Sequence, residues 1–244
     1  MVYREEDGTK LLMNLYAPPN LSHGARRPAI FFVHGGPIPA DMTPPTQWGI
    51  FDSYGGFAAA SGMVGVVFNH RLHGPTDYRK SQDDIAAAIA HVRAHADDFN
   101  VDPERIALWA FSGSGVQLSW ALRERPSHVR CLLAFYALLD VRHAVPPGAD
   151  PGMVKQYELL SPAAYLREKS EGLPMFVARA GLDSPTINQS IDTFVSEALA
   201  ANATLDLANH PRGHHVFDCL DDDDRSREII ARAMDFARIH LGGS

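Results

Sequence analysis

The chain has 244 residues, enough to bury a sizeable core and within the length that α/β folds reach as one domain. Its 29 Asp and Glu outnumber 22 Lys and Arg, a formal charge of −7, so neither nucleic acid nor an anionic membrane would be attracted and a small molecule is the expected partner. Two cysteines make no disulfide framework, no leader-like segment opens the chain and no run approaches membrane-spanning length, which reads as a cytoplasmic protein with room for a segment upstream of its first strand.

In chain order, a strand pair is expected around the turn Glu6-Asp7-Gly8. Apolar runs of strand length follow at Ala29–Val33, Met63–Phe68, Ile106–Phe111, Leu132–Tyr136, Met175–Ala180 and Thr204–Leu207. Between them Ile85, Ile89, Val92, Ala96 and Phe99, and again Ile187, Ile191, Phe194 and Ala198, recur at steps of three and four, each set one apolar helical stripe. This alternation is the signature of an α/β fold: a mostly parallel sheet with helices on both faces and an antiparallel strand pair at the N-terminus. A last helix, Ser226 to about Leu241, buries Ile229, Ile230, Ala233, Met234 and Ala237 and starts after Asp221-Asp222-Asp223-Asp224, acids that suit a helix N-terminus. That acidic run lacks the interleaved glycine and distal glutamate of a calcium loop, so a solvated cap is expected. With no linker or repeat, residues 1–244 read as a single domain carrying a short cap insertion around 141–165.

The chemistry gathers at strand ends. Ile106–Phe111 stops abruptly at Ser112-Gly113-Ser114-Gly115, where a nucleophilic serine would be mounted in a strained strand-to-helix turn whose flanking positions must be small, although the same segment also reads as an ordinary tight turn into a helix. Ala110 and Ser114 satisfy that rule around Ser112; a frame on Ser114 would put Val116 at the crowded position. Ala29–Val33 runs into His34-Gly35-Gly36-Pro37, whose uncovered N–H groups suit an oxyanion; Pro37 has no N–H, so Gly35 or Gly36 would act with Gly113. A plain glycine turn is the competing reading. Met175–Ala180 leads to Gly181-Leu182-Asp183, and His210, His214 and His215 fall in the loop after the final strand.

The order Ser112, Asp183, His215, with each member at the carboxyl end of a strand, resembles an α/β-hydrolase of the esterase, lipase and dienelactone-hydrolase-like group along nearly the whole chain. Asp102-Pro103-Glu104-Arg105-Ile106 is similar to the family's Asp-Pro-x-Arg-Ile before the nucleophile, and His215-Val216-Phe217 to its catalytic histidine followed by a small residue and phenylalanine. Ala110, Ser114 and Pro37 depart from the usual glycines without removing a catalytic group. The resemblance implies a serine carboxylic-ester hydrolase on small acyl esters, without cofactor or metal, with Ser112 as nucleophile, His215 as base, Asp183 as its partner and Gly35, Gly36 and Gly113 as oxyanion donors.

Alternatives stand beside this. Asp140, Asp206 and Asp218 are other possible triad acids, Asp140 foremost because it follows the sixth strand. His34 is expected to fasten its own loop, His214 to be a bystander, and His91 and His95 to be surface residues, lacking the intervening glutamate of a zinc protease. His210, His214 and His215 as a metal clamp would leave Ser112 and Asp183 unexplained. Specificity is expected from Ile38–Tyr54 and Val141–Tyr165, with Pro37, Trp48 and Tyr157 near an apolar pocket. An amidase of the arylformamidase or aminopeptidase type would use the same triad, a non-catalytic binding protein is the reading from another class, and a homodimer is left open.

Overall fold

The computed structural model describes residues 1–6, 8–19, 21, 24–166 and 172–242, so Asp7 of the expected opening turn lies outside the described residues. Hydrogen bonding orders eight strands β1-β2-β4-β3-β5-β6-β7-β8. The chain falls into two compact units, each built on part of this ladder: Met1–Trp109 with Ser127–Cys131 and Met234–Ser244, and Ala110–Pro126 with Leu132–Ala233.

In the first unit, β1 (Val2–Glu6) and β2 (Thr9–Tyr16) pair antiparallel across Gly8, whose φ of 75° is one a side chain resists. β2 then runs antiparallel to β4 (Val64–Phe68), and β4 parallel to β3 (Arg27–Val33). Every residue from Ala29 to Val33 is buried, which explains a continuous apolar run in place of alternation. Helix α1 (Gly49–Ala60) begins inside the stretch Ile38–Tyr54 that was expected to lie between elements. Its Gly55-Gly56 pair disfavours helix, and packing overrides that preference. A Cβ on Gly55 would sit 2.2 Å from the Tyr16 ring, and one on Gly65 of β4 would sit 2.8 Å from the Gly55 backbone. Helix α2 (Tyr78–Ala94) buries Ile85, Ile89 and Val92 as its stripe predicted, but ends before Phe99. β5 (Val101–Phe111) begins five residues earlier than its apolar run, because Asp102 accepts from the Glu104 N–H and the Arg105 guanidinium and ties the polar stretch locally.

In the second unit, β5 finishes at Phe111 and a 3-10 turn, Ser112–Gln117, leads into α3 (Leu118–Glu124). β6 (Val129–Phe135), β7 (Met175–Ala180) and β8 (Leu205–His210) pair parallel, β8 running three residues past its apolar run. The expected cap region holds α4 (Pro151–Leu159), which buries none of its residues. Helix α5 (Pro185–Ala200) is capped by Ser184 Oγ, which accepts from the Ile187 N–H at 3.3 Å, with Pro185 opening its first turn. A short α6 (Phe217–Leu220) precedes α7 (Asp224–His240). α7 starts two residues before Ser226, since Asp223 accepts from the Ser226 N–H at 2.8 Å. Cys131 and Cys219 are both free thiols, and no helix among the described residues is long and apolar enough to cross a membrane.

Candidate active site

Three strand ends of the second unit supply the site. β5 is extended through Phe111, and Ser112 then turns left-handed at φ 51°, which lifts its side chain out of the strand. The tight space falls at Gly115, beyond the flanking positions the sequence rule addressed: a Cβ there would meet Leu138 O at 2.5 Å and Ala137 Cβ at 2.8 Å. The Leu138 N–H donates to Ser112 O at 2.9 Å and fixes the turn. Ser114 is fully buried.

β7 ends in Ala180-Gly181-Leu182-Asp183 and β8 in the loop Pro211–Val216, and backbone bonds tie the two loops together. Gly181 N–H donates to His210 O at 2.8 Å and Leu182 N–H to Gly213 O at 2.9 Å. Gly181 must be glycine here, since a Cβ would lie 2.5 Å from Pro211 O. This zipper brings His215 Nδ1 to 2.6 Å from Asp183 Oδ2, while His215 Nε2 lies 2.9 Å from Ser112 Oγ. The Asp183 carboxylate is nearly buried and its other oxygen accepts from the Ser184 N–H at 2.6 Å; the His215 ring remains one-third exposed. A hydroxyl, an imidazole and a carboxylate thus form one hydrogen-bonded line, in which the carboxylate keeps the proton on Nδ1 and leaves Nε2 to accept from the serine.

The competing acids are placed elsewhere. Asp140 is engaged by Arg142, which donates to it from its backbone N–H and guanidinium at 2.9 Å and also reaches Glu197. Burial pushes the Asp140 carboxyl up, and the Arg142 bonds overcome this and hold it below its ordinary value. Asp206 is exposed on β8. Asp218 accepts from the Tyr136 hydroxyl at 2.8 Å. The acidic run does more than cap a helix: Asp221 accepts from the His214 backbone N–H at 2.7 Å and meets its ring, and Asp223 meets buried His210 at 3.2 Å. Both therefore brace the loop that carries His215.

In the first unit, Gly35 and Gly36 follow β3 in a turn held by the Ile38 N–H donating to Leu72 O at 2.8 Å. A Cβ on Gly36 would lie 2.9 Å from the Leu72 side chain. His34 does fasten this turn, but with a partner the sequence reading missed. Its ring stacks on His70 at 3.6 Å and 5°. His34 Nδ1 lies 2.7 Å from Gly35 O, and its Nε2 accepts from the His70 N–H at 3.2 Å. His70 Nε2 lies 3.1 Å from His34 O, and its Nδ1 is 2.8 Å from Ser81 Oγ. One neutral tautomer per ring satisfies all four nitrogens. Burial pushes His34 down to about 4 and His70 well below its ordinary value. The signal was present: each histidine directly follows, or follows by one residue, a fully apolar strand.

A cleft of about 520 Å³ in this unit is lined by His34, Ile38, Met42, His70, His73 and Lys80 among others. Pro37 is exposed after a cis peptide bond, Trp48 donates to Thr43 O at 2.7 Å and stacks on Phe51, and Tyr157 sits half-buried on α4; none of the three lines this cleft. The ring of His91, in the last turn of α2, lies 4.5 Å from and tilted by 34° to that of His95 just past the helix end, and no cluster of three metal-binding side chains occurs among the described residues.

The BD-FAE family model matches residues 13–122. The esterase LipQ of Mycobacterium tuberculosis is 24% identical over 96% of the chain, which spans 61% of that relative's length. The thermophilic esterase Est2 of the planctomycete Thermogutta terrifontis, solved with propionate bound, superposes with a TM-score of 0.82 at 20% identity, covering all of this chain and 94% of the other. Its butyrate-bound form gives 0.80 at 21% identity, and the form phosphorylated by paraoxon 0.78 at 21%, each with the same coverage.

Proposed function

We propose that this chain, which shares the fold of the Thermogutta esterase, is a serine hydrolase of the α/β-hydrolase type cleaving small carboxylic esters, acting as one domain without a cofactor. The observation that carries this reading is the unbroken line Ser112 Oγ, His215 Nε2, His215 Nδ1, Asp183 Oδ2, with spacings of 2.9 and 2.6 Å. His215 takes the Ser112 proton as Oγ attacks the acyl carbonyl, and Asp183 steadies the imidazolium that forms. The negative oxygen is met by the N–H of Gly113, directly after the nucleophile. His215 then protonates the departing alcohol, and a water that it deprotonates releases the acid and frees Ser112. Short acyl groups are the expected substrates, in line with the propionate and butyrate held by the Thermogutta esterase.

The test is intact mass after exposure to a fluorophosphonate, with Ser112→Ala beside it, followed by a matched ester and anilide pair. A single adduct lost in the variant, with the ester turned over faster, is the expected result. No adduct on folded protein would favour a ligand-binding role, and faster anilide cleavage an amidase.

A further inference from the structure

Behind His215 lies a residue that the triad does not use. Tyr136 follows the last residue of β6 and is 2% exposed. Its ring meets the His215 ring edge to face, with centroids 4.9 Å apart and planes at 66°. The same ring stands at 85° to Phe217 and is flanked by Phe111 and Phe135, so it has an aromatic wall of its own. Its hydroxyl donates to Asp218 Oδ1 at 2.8 Å, and Asp218 sits three residues beyond His215 in the first turn of α6. The Tyr136 N–H donates to Ala178 O at 2.8 Å, pinning the residue to the strand that leads to Asp183.

The backbone around this contact is unusual. Tyr136 has φ 38° and Val216, next to His215, has φ 62°; with Ser112 at 51°, three side-chain-bearing residues adopt the left-handed region around one imidazole. For a β-branched valine that conformation is disfavoured and persists only where surrounding contacts impose it. The phenol of Tyr136 bonds Asp218, two residues beyond the strained Val216, and so joins the end of β6 to the segment that follows the histidine.

From these contacts we infer that Tyr136 and Asp218 form a positioning pair for His215: the tyrosine ring backs the imidazole, and the phenol-to-carboxylate bond fixes that ring and α6, keeping the imidazole between Ser112 and Asp183. The inference rests on the serine-hydrolase reading for its kinetic consequence and on geometry alone for its structural one. Burial, and then the Asp218 charge, keep the phenol protonated, so it remains a donor wherever the fold persists.

Five variants test it, read by steady-state kinetics on a short-chain ester, thermal unfolding, and the downfield ring N–H resonance of His215 in ¹⁵N-labelled protein, assigned by its loss in His215→Gln. Tyr136→Phe keeps the ring and the fold but loses the tie; kcat should fall about tenfold with KM within a factor of two. Asp218→Ala should match it, and the double variant should be no slower than either single. Asp218→Asn, whose Oδ1 still accepts, should recover most of the loss. Tyr136→Leu should lower kcat about a hundredfold and broaden or abolish the resonance. Wild-type kcat in both Tyr136→Phe and Asp218→Ala overturns the inference, as does a loss expressed only in KM or fully accounted for by unfolded protein. If wild-type protein neither hydrolyses esters nor takes up the fluorophosphonate, the serine-hydrolase reading fails; the resonance then decides alone, and its persistence unaltered in Tyr136→Phe and Asp218→Ala refutes the pairing.

Discussion

Acidification should unfold the first unit's buried histidine pair before it touches most carboxylates. His34 and His70 are bonded as neutral rings, and a proton on His34 Nε2 would place a donor against the His70 N–H it now accepts from. An unfolded histidine titrates near 6.5, whereas His34 in the fold is pushed down to about 4. Between those values the unfolded chain binds more protons than the folded one, so stability is fully present above 6.5 and declines as pH falls toward 4. Moving one group over that interval corresponds to about 3 kcal/mol, a large share of the net stability of a domain. His70 adds to the loss with the same sign, as do His91 and His128, which burial also lowers. Asp102 and Asp140, whose carboxyls are held below 3.8, act only in more acid solution. Urea unfolding at pH 7.5, 6.5, 5.5 and 4.5 measures the slope, and His34→Asn, which cannot titrate there, should show a shallower one. Stability constant to within about 0.5 kcal/mol from pH 7.5 to 5, or an identical slope in His34→Asn, would refute the reasoning.

Other perturbations separate the parts of the site. Gly115→Ala forces a methyl against Leu138 O and should cost about 1–3 kcal/mol while slowing fluorophosphonate labelling; unimpaired labelling would mean that Ser112 is not held by this packing. Gly181→Ala should lower kcat with little change in KM by parting the acid and histidine loops, and an unchanged kcat would dissociate the zipper from catalysis. Asp183→Asn is expected to lower kcat about 10⁴-fold with the melting temperature retained, whereas Asp140→Asn should lower the melting temperature and leave kcat within a few-fold. The opposite pattern would make Asp140 the triad acid. Ser184→Ala should cost about 1 kcal/mol in thermal unfolding through loss of the α5 cap.

The sheet was legible because buried parallel strands leave an unmistakable record: Ala29–Val33 and Met175–Ala180 stand out as unbroken apolar runs, and α2 and α5 as stripes at helical spacing. α1 was not, because Gly55-Gly56 disfavours helix and its place there is explained only by the space that Tyr16 and Gly65 need. Polar strand ends were also invisible: Val101–Arg105 and Ala208–His210 carry no apolar pattern and are held by pairing and local side-chain bonds. At the candidate site, Ser112 and Asp183 could be nominated because each is a reactive type closely following an apolar run, and His215 because it falls in the loop after the last strand and precedes Val216-Phe217. Tyr136 could not, since an aromatic residue closing such a run looks like core, and its hydroxyl reveals its purpose only when Asp218 is beside it. The Asp221–Asp224 run misled in a different way. Its composition suggests solvated surface, whereas two of its four carboxylates face the histidine loop.

Helix α4 buries no residue of its own, and the hydroxyl, imidazole and carboxylate lean on strand ends and on one another. Lengthening the stretch from 145 to 159 would therefore cost little, since doubling a loop adds only about 0.6 kcal/mol of closure entropy. Descendants of this chain are free to experiment there with new coverings, or with none, while inheriting intact the part that is hard to invent.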